Sequence, residues 1–276
     1  MPIIGSKLAT SKLDTDVANF KNRIIADGGT ISNSSLQAHN TFVKSLKLGG
    51  IWDKCLEIAT YAGNDLNAAL VKLKYPSGIQ SSLTNVGFVN ADYSEITGLS
   101  GDTSNTKYLK TGFIPSVQLT SSLDAHLSVY ARNTVAISGS GSAPFAYLGC
   151  NNTTPRFYLF RQTSTLTGFV GSSTEMSVTK STATAPGHIL LSTVSSNLGY
   201  LFYNGNVETT DTSFTTNARP TCEVSIFSYD NGGTQFLLRS NLICGMHTIG
   251  YGLDTNQATI FYNAVQALQT ALGRQV

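Results

Sequence analysis

Four histidines (His39, His126, His188, His247), four cysteines (Cys55, Cys150, Cys222, Cys244) and a scatter of carboxylates are the side chains through which this chain could do chemistry. Glycoside hydrolysis needs two carboxylates held on either side of the scissile bond. A β protein can supply them from alternate positions of one strand, but the sequence has no E-x-D-x-x-E run. Asp92 and Glu95 are the nearest acidic neighbours, and a spacing of three puts them on opposite faces of a strand. Glu175, Glu208 and Glu223 stand apart from other carboxylates. The spacing argues against polysaccharide cleavage.

Nucleophilic catalysis has no better support. No serine lies in a G-x-S-x-G elbow. His247 follows Cys244 by three residues, but a working pair needs a third, positioned group. Structural roles are therefore expected for all four histidines. No cysteines form a C-x-x-C pair, which argues against zinc, and buried free thiols are expected. Asp102, Asp124, Asp211 and Asp230 are the loop or strand-end carboxylates from which calcium could draw oxygen ligands. Asp230-Asn231-Gly232-Gly233 has suitable residue types, but it also reads as a turn in which the Asx side chain bonds its own backbone. No catalytic, cofactor-binding or metal-binding residue is assigned, and no cofactor is expected.

Binding without catalysis leaves a different trace. Tyr158, Tyr200, Tyr203 and Tyr229 could offer ring faces to a sugar, with amide and hydroxyl groups around them. The plainer expectation is that these rings fill the core or brace strands. The Gly139-Ser140-Gly141-Ser142 and Thr179 to Pro186 stretches read as surface loops.

These side chains must be positioned by two kinds of element. Up to about residue 75 the pattern is mostly helical. Val17, Phe20, Ile24 and Ile25 recur at helical spacing, with Asp14 to Asp16 as the cap and Asp27-Gly28-Gly29 as the stop. A second helix is predicted from Ser34 or Ser35, carrying Leu36, Phe42, Val43 and Leu46 to Gly49-Gly50. Ile51 to Tyr61 and Leu66 to Leu73 read as short elements, and Tyr75-Pro76-Ser77-Gly78 leads out of the region. From about 80 to 250, short runs of Thr, Val, Tyr, Phe and Ser are cut by Gly, Asn and Pro. Leu127 to Ala131, Phe157 to Phe160 and Ile189 to Val194 read as strands. Tyr200 to Tyr203 followed by Asn204-Gly205-Asn206 reads as a β-hairpin. Val224 to Tyr229 is predicted as one further strand. The chain ends in a helix capped at Asp254 or Thr255, with Gln257 as the capping-box partner and Phe261, Val265, Leu268 and Leu272 as its apolar stripe. Many short strands at this spacing predict a mainly β, antiparallel two-sheet jelly-roll sandwich. An N-terminal helical region, 1–78, would precede a β domain, 79–276.

Composition narrows the partners. Only 12% of the 276 residues are charged and the formal net charge is +2. Without a basic run, nucleic acid is not expected as a partner. Neutral hydroxyl and amide surface suits protein–protein or glycan contact, because it satisfies hydrogen bonds without the desolvation cost of charge. Met1 to Lys7 lacks an apolar core for export, and no stretch approaches a membrane-spanning length. The chain is expected to be made and kept in a cytoplasm, or to reach the outside by another route such as host lysis.

Several segments taken together resemble a known architecture. Tyr200-Leu201-Phe202-Tyr203-Asn204-Gly205-Asn206-Val207 resembles the strand–Asn-Gly–strand signature of laminin-G-like, concanavalin A-like jelly rolls. Ile226 to Gly233, Ile243 to Asp254 and the helix through Asn263 to Arg274 are similar to the closing strands and terminal helix of jelly-roll proteins in tailed-bacteriophage virions. Phe20 to Thr30 is similar to the start of those proteins. The resemblance implies a non-enzymatic virion structural protein, assembled in the host cytoplasm. Capsid-surface decoration or a head fibre, attached through residues 1–78, is the first expectation. A carbohydrate-binding tail-fibre protein is the alternative. Implied partners are other virion proteins, capsid or tail, in a homo-oligomer, with host-surface glycans under the alternative and no membrane insertion.

Overall fold

The computed structural model describes residues 12–102, 106–133, 145–152, 155–162, 165–171, 176–179, 186–195, 197–212, 218–236 and 241–276. The Gly139 to Ser142 stretch, most of Thr179 to Pro186 and Glu175 lie outside them.

Among the described residues, the longer helices form where the sequence provides caps and apolar stripes. The Asp14 carboxylate accepts from Asp16 N to open α1 (Thr15–Ala26), which buries Val17, Phe20 and Ile24. Ser32 caps α2 (Asn33–Leu48) by accepting from Ser35 N, slightly ahead of the predicted start. Short α3 (Leu66–Leu70) is capped by Asp65, and α4 (Pro115–Gln118) has Pro115 in its first turn. α5 (Thr255–Ala271) opens with the reciprocal capping box of Asp254 and Gln257. It buries Phe261, Val265 and Leu268.

The strands form two sheets. In the eight-stranded sheet the order is Asn206–Asp211, Leu198–Tyr203, Gly187–Ser195, Ala125–Ala131, Ile243–Gly250, Gly98–Ser100 and Tyr93–Ser94, with Cys55–Ala59 also pairing Ile243–Gly250. In the nine-stranded sheet Met176–Thr179, Thr165–Val170, Arg156–Gln162, Phe145–Asn151, Ser225–Ile226, Tyr108–Lys110 and Thr84–Val86 lie side by side, with Tyr229–Asn231 and Thr234–Phe236 attached as a hairpin. Among the described residues the strands pair antiparallel except where Tyr229–Asn231 meets Phe145–Asn151. This is a mainly β jelly-roll-like sandwich with N- and C-terminal helices. The hairpin at Asn204-Gly205 has φ of +49° and +77°, the left-handed pair that a tight two-residue turn requires.

Two apolar cores result. The first lies between the sheets and includes Leu127, Val129, Leu148, Phe157, Leu159, Leu191 and Ile249. The second lies on the outer face of the eight-stranded sheet, where Tyr130, Leu190, Phe202 and Met246 meet Phe20 and Ile24 of α1, Phe42 of α2 and Phe261 of α5. Ala125–Ala131 is therefore buried at every position, which erases the apolar–polar alternation of a one-sided strand.

The division at residue 78 follows a change of composition and not a separation in space. Cys55–Ala59 is a strand of the eight-stranded sheet, with Ala59 opposite His247 and Cys55 opposite Gly250. α1 and α2 cover that sheet, so the N-terminal region belongs to the same packed body as the sandwich. The predicted strand Val224 to Tyr229 is also broken. Phe227 sits at φ +66°, so that Ser225–Ile226 pairs Phe145–Asn151 antiparallel while Tyr229–Asn231 returns to it in parallel. Burial of the Phe227 ring 5.1 Å from Phe88, and donation of its N–H to Tyr147 O at 3.0 Å, offset the strain of that conformation.

Candidate functional site

The histidines are all buried and are held by the fold. His39 lies 2.6 Å from Ser35 O and 2.9 Å from Thr60 Oγ1. His126 contacts Tyr251 O at 2.6 Å and Thr248 Oγ1 at 3.0 Å. His188 packs against Phe261 and Tyr262 of α5. Burial lowers His39 and His126 to about 4 and His188 to about 3, so all three are neutral at neutral pH.

His247 belongs to a network that the sequence reading missed. Its Nε2 lies 3.1 Å from Glu57 Oε1 and its Nδ1 2.7 Å from the Tyr61 hydroxyl. Lys72 Nζ lies 3.1 Å from the second Glu57 oxygen and donates to Thr111 O. A carboxylate, an imidazole and a hydroxyl in line could relay a proton. Glu57, Tyr61, Lys72 and His247 are each 0% exposed, however, so no substrate meets this relay. Cys244 is not its partner and donates instead to Met246 O. Nearby, Arg274 is also fully buried and donates to Tyr61 O, Thr60 O, Gly245 O and Gln269 Oε1. The signal for these groups was present: Glu57 and Lys72 each interrupt an apolar run.

The carboxylates remain dispersed. Asp92 pairs with Lys107 at 2.6 Å, Glu95 accepts from Gly63 N at 2.8 Å, and Glu223 pairs with Lys110 at 3.1 Å. Glu208 and Asp211 each have interaction partners of their own. Of the calcium candidates, Asp102 approaches Lys107 and Asp124 accepts from Gly252 N. Asp230 accepts from Gly233 N at 2.6 Å and from Gln235 Nε2 at 3.0 Å, the self-bonded turn that was the alternative reading. Among the described residues no three or more metal-ligating groups converge. No helix among them is long and apolar enough to cross a membrane. All four cysteines are buried free thiols.

The tyrosines divide into two pairs. Tyr200 packs beside the second core, 5.5 Å from the Phe202 ring. Tyr203 packs against the first core and donates to Pro186 O. Tyr158 and Tyr229 come together instead on the outer face of the nine-stranded sheet. Strand alternation explains the placement, since Phe157 and Leu159 are buried in the inter-sheet core while Tyr158 and Phe160 are part-exposed on the opposite face. The two tyrosine rings stack with centroids 5.4 Å apart and an interplanar angle of 22°. Phe160 extends the row, 5.2 Å from Tyr158.

Gly149 makes this arrangement possible. It lies opposite Tyr158 in the register, has φ of +151°, and a Cβ there would fall 2.0 Å from Tyr158 Cβ. Any side chain would push the Tyr158 strand away. Polar groups frame the rings. Part-exposed Arg156 lies two residues from Tyr158 and moderates the upward shift that burial imposes on the Tyr229 hydroxyl. Asn151 is the register partner of both Arg156 and Asn231. Beyond them opens a polar cleft of about 310 Å³ lined by Asn152, Thr221, Cys222, Asp230, Gly232 and Gly233. Flat rings beside amides, a hydroxyl and a guanidinium can stack on the C–H face of a sugar ring and hydrogen-bond its hydroxyls.

No known protein family and no curated protein matches the sequence. Solved structures do match in fold. The chain is similar to a receptor binding domain at TM-score 0.56 and 11% identity, over 82% of this chain and 53% of that one. It is similar to the receptor binding domain of botulinum neurotoxin D at TM-score 0.50 and 10% identity, over 76% of this chain and 52% of that one. A mutant of Trypanosoma rangeli sialidase aligns at TM-score 0.49 and 11% identity, over 84% of this chain and 39% of that one. The chain thus spans about half the length of the receptor binding domains it matches, and at these identities the likeness establishes the fold alone.

Proposed function

We propose that this chain is a non-enzymatic recognition module that binds glycan on the outer face of its nine-stranded sheet. The observation that carries the reading is the stacked Tyr158–Tyr229 pair, laid over Gly149 and continued by Phe160, on a face whose neighbours are amides and one guanidinium. Likeness in fold to receptor binding domains supports a receptor-directed role. The burial of all four histidines and of Glu57, with His247 bonded to Glu57, supports a non-enzymatic one.

The resemblance to tailed-phage jelly rolls supplies the context: a virion component whose sandwich faces the host and whose neighbours are capsid or tail proteins. Receptor recognition is preferred over pure capsid decoration because α1 and α2 are committed to covering the sheet. Attachment to a particle through the N-terminal region would have to use what they leave exposed, such as Ile25 and Leu48. A homo-oligomer would present several platforms at once and raise avidity without new contacts.

The test is a glycan array with the full chain. Specific hits are expected, and these should fall at least tenfold in affinity in both Tyr158→Ala and Tyr229→Ala. Hits that persist in the double variant would move the site elsewhere, and an array without hits would sink the reading. Counting copies in purified particles by mass spectrometry tests the context: a handful to a few tens fits a fibre, and hundreds a decoration.

A further inference from the structure

Cys222 lines the cleft beside the aromatic platform and Cys150 lies in the inter-sheet core, and neither thiol has been given a chemical role above. Cys222 Sγ lies 3.3 Å from Asn151 O and 3.7 Å from Asp230 O. Asn151 follows Cys150 in the chain, and Asp230 is the direct register partner of Cys150 in the parallel pairing. The two carbonyls thus bracket Cys150 and bring the Cys222 sulfur to it. The Cys222 thiol donates to both carbonyls and to Asn152 Oδ1 at 3.4 Å.

The two sulfurs differ in access and in acidity. Cys150 is 0% exposed within the inter-sheet core. Cys222 lines the cleft of about 310 Å³ beside Asn152 and Gly232. Hydrogen bonds from Cys150 and then from the Gly232 N–H bring Cys222 down to about 7, against the opposing effect of burial. Burial holds Cys150 well above the usual thiol range, so it keeps its proton. A thiol at the wall of a cleft beside one wholly enclosed in the core is the arrangement of an attacking and a resolving cysteine.

We propose that Cys222 and Cys150 form a redox pair that reacts with low-molecular-weight disulfides such as oxidised glutathione. The Cys222 thiolate attacks one sulfur of the disulfide, forming a mixed disulfide and expelling one glutathione thiolate. Cys150 then attacks the Cys222 sulfur. The Cys150–Cys222 bond forms, the second glutathione leaves, and it takes up the Cys150 proton. Two protein thiols are oxidised by two electrons and one glutathione disulfide is reduced to two glutathiones. The product ties the turn that carries Tyr229 and Asp230 to strand Phe145–Asn151. Closing a loop of this length raises the melting temperature by roughly 5 °C. The pair adjoins the proposed glycan face, but thiol counting reads it without any glycan present.

The experiment incubates the full chain with oxidised glutathione and counts thiols after denaturation. Wild type should fall from four titratable thiols to two, with peptide mapping placing the bond at Cys150–Cys222. Cys150→Ser should stop at one glutathione on Cys222, and Cys222→Ser should take up none. Should a serine in the core prevent folding, Cys150→Ala replaces it. Four thiols remaining in folded wild type, a bond mapped to Cys55 or Cys244, or equal glutathionylation of Cys222→Ser would overturn the proposal.

Discussion

The two sheets turn opposite outer faces to their surroundings, and they use similar residues for different ends. Outside the eight-stranded sheet, Tyr130, His126, His188 and Phe202 are roofed by α1, α2 and α5. Glu57 and His247 lie on the other face of the same sheet, opposite Ile249 and Val129 and turned towards the inter-sheet core. Outside the nine-stranded sheet, Tyr158, Phe160, Tyr229 and Arg156 remain part-exposed. Aromatic and polar side chains therefore do not mark a binding face by themselves. The helical roof converts one set into a second core, whereas among the described residues no helix covers the other set.

Deleting residues 1–75 is the severest test of that contrast. It removes α1, α2 and strand Cys55–Ala59, and it uncovers Tyr130, Leu190 and Met246. The loss should exceed the roughly 5–15 kcal/mol of a typical domain, leaving no cooperative unfolding transition. A fragment that still melted cooperatively would show that the roof is an appendage after all.

Acid should strike the roofed side alone. His39, His126 and His188 stay neutral in the folded protein down to about 4, 4 and 3, against 6.5 when unexposed to such burial. Their folded values are depressed, so below pH 6.5 the unfolded chain binds protons that the folded chain refuses, and stability falls as pH falls toward 4. At pH 5 the cost is about 2 kcal/mol per histidine. Chemical denaturation followed from pH 7.5 to 5 should show a slope approaching three protons taken up on unfolding. A flat profile would mean that these histidines become solvated without unfolding.

Breaking the buried ion pair should cost somewhat less. Glu57→Ala leaves Lys72 charged, buried and without its carboxylate, a loss of about 3–5 kcal/mol. Replacing the pair together, Glu57→Gln with Lys72→Met, should recover much of it, because no uncompensated charge remains. Thermal melts of the three proteins decide the matter. A double variant no better than Glu57→Ala would show that His247 or Thr111 depends on the pair as well.

The sequence made local features legible and hid those that depend on which face is covered. The caps at Asp14 and Asp254, the Asn204-Gly205 turn and the sandwich class follow from short-range chemistry, and they stand in the structure. Cys55–Ala59 did not announce itself as a sheet member, because its partner Ile243–Gly250 lies about two thirds of the chain away. Strand phase was equally hidden. Ala125–Ala131 is buried on both sides, so no alternation shows which residues face outward. Tyr158 and Tyr229 could be named as platforms beside Tyr200 and Tyr203, but only the positions of the helices separate the open pair from the covered one. Phe160 escaped notice because its neighbours in Phe157 to Phe160 read as a uniform apolar run.

The smallest expected change in stability comes from the open face, and that smallness is itself informative. Tyr158 and Tyr229 stack on each other on a part-exposed face, so removing one ring forfeits an aromatic contact of about 1 kcal/mol. Tyr158→Ala should therefore melt within a few degrees of wild type, while Tyr130→Ala, under the roof, should lose about 3–5 kcal/mol. Gly149→Ala sharpens the comparison from below the rings. Its methyl group must displace the Tyr158 strand, so it should disturb both the stack and the fold. If Tyr158→Ala destabilised as much as Tyr130→Ala, both faces would be structural, and the reason to look for a ligand on this one would be gone.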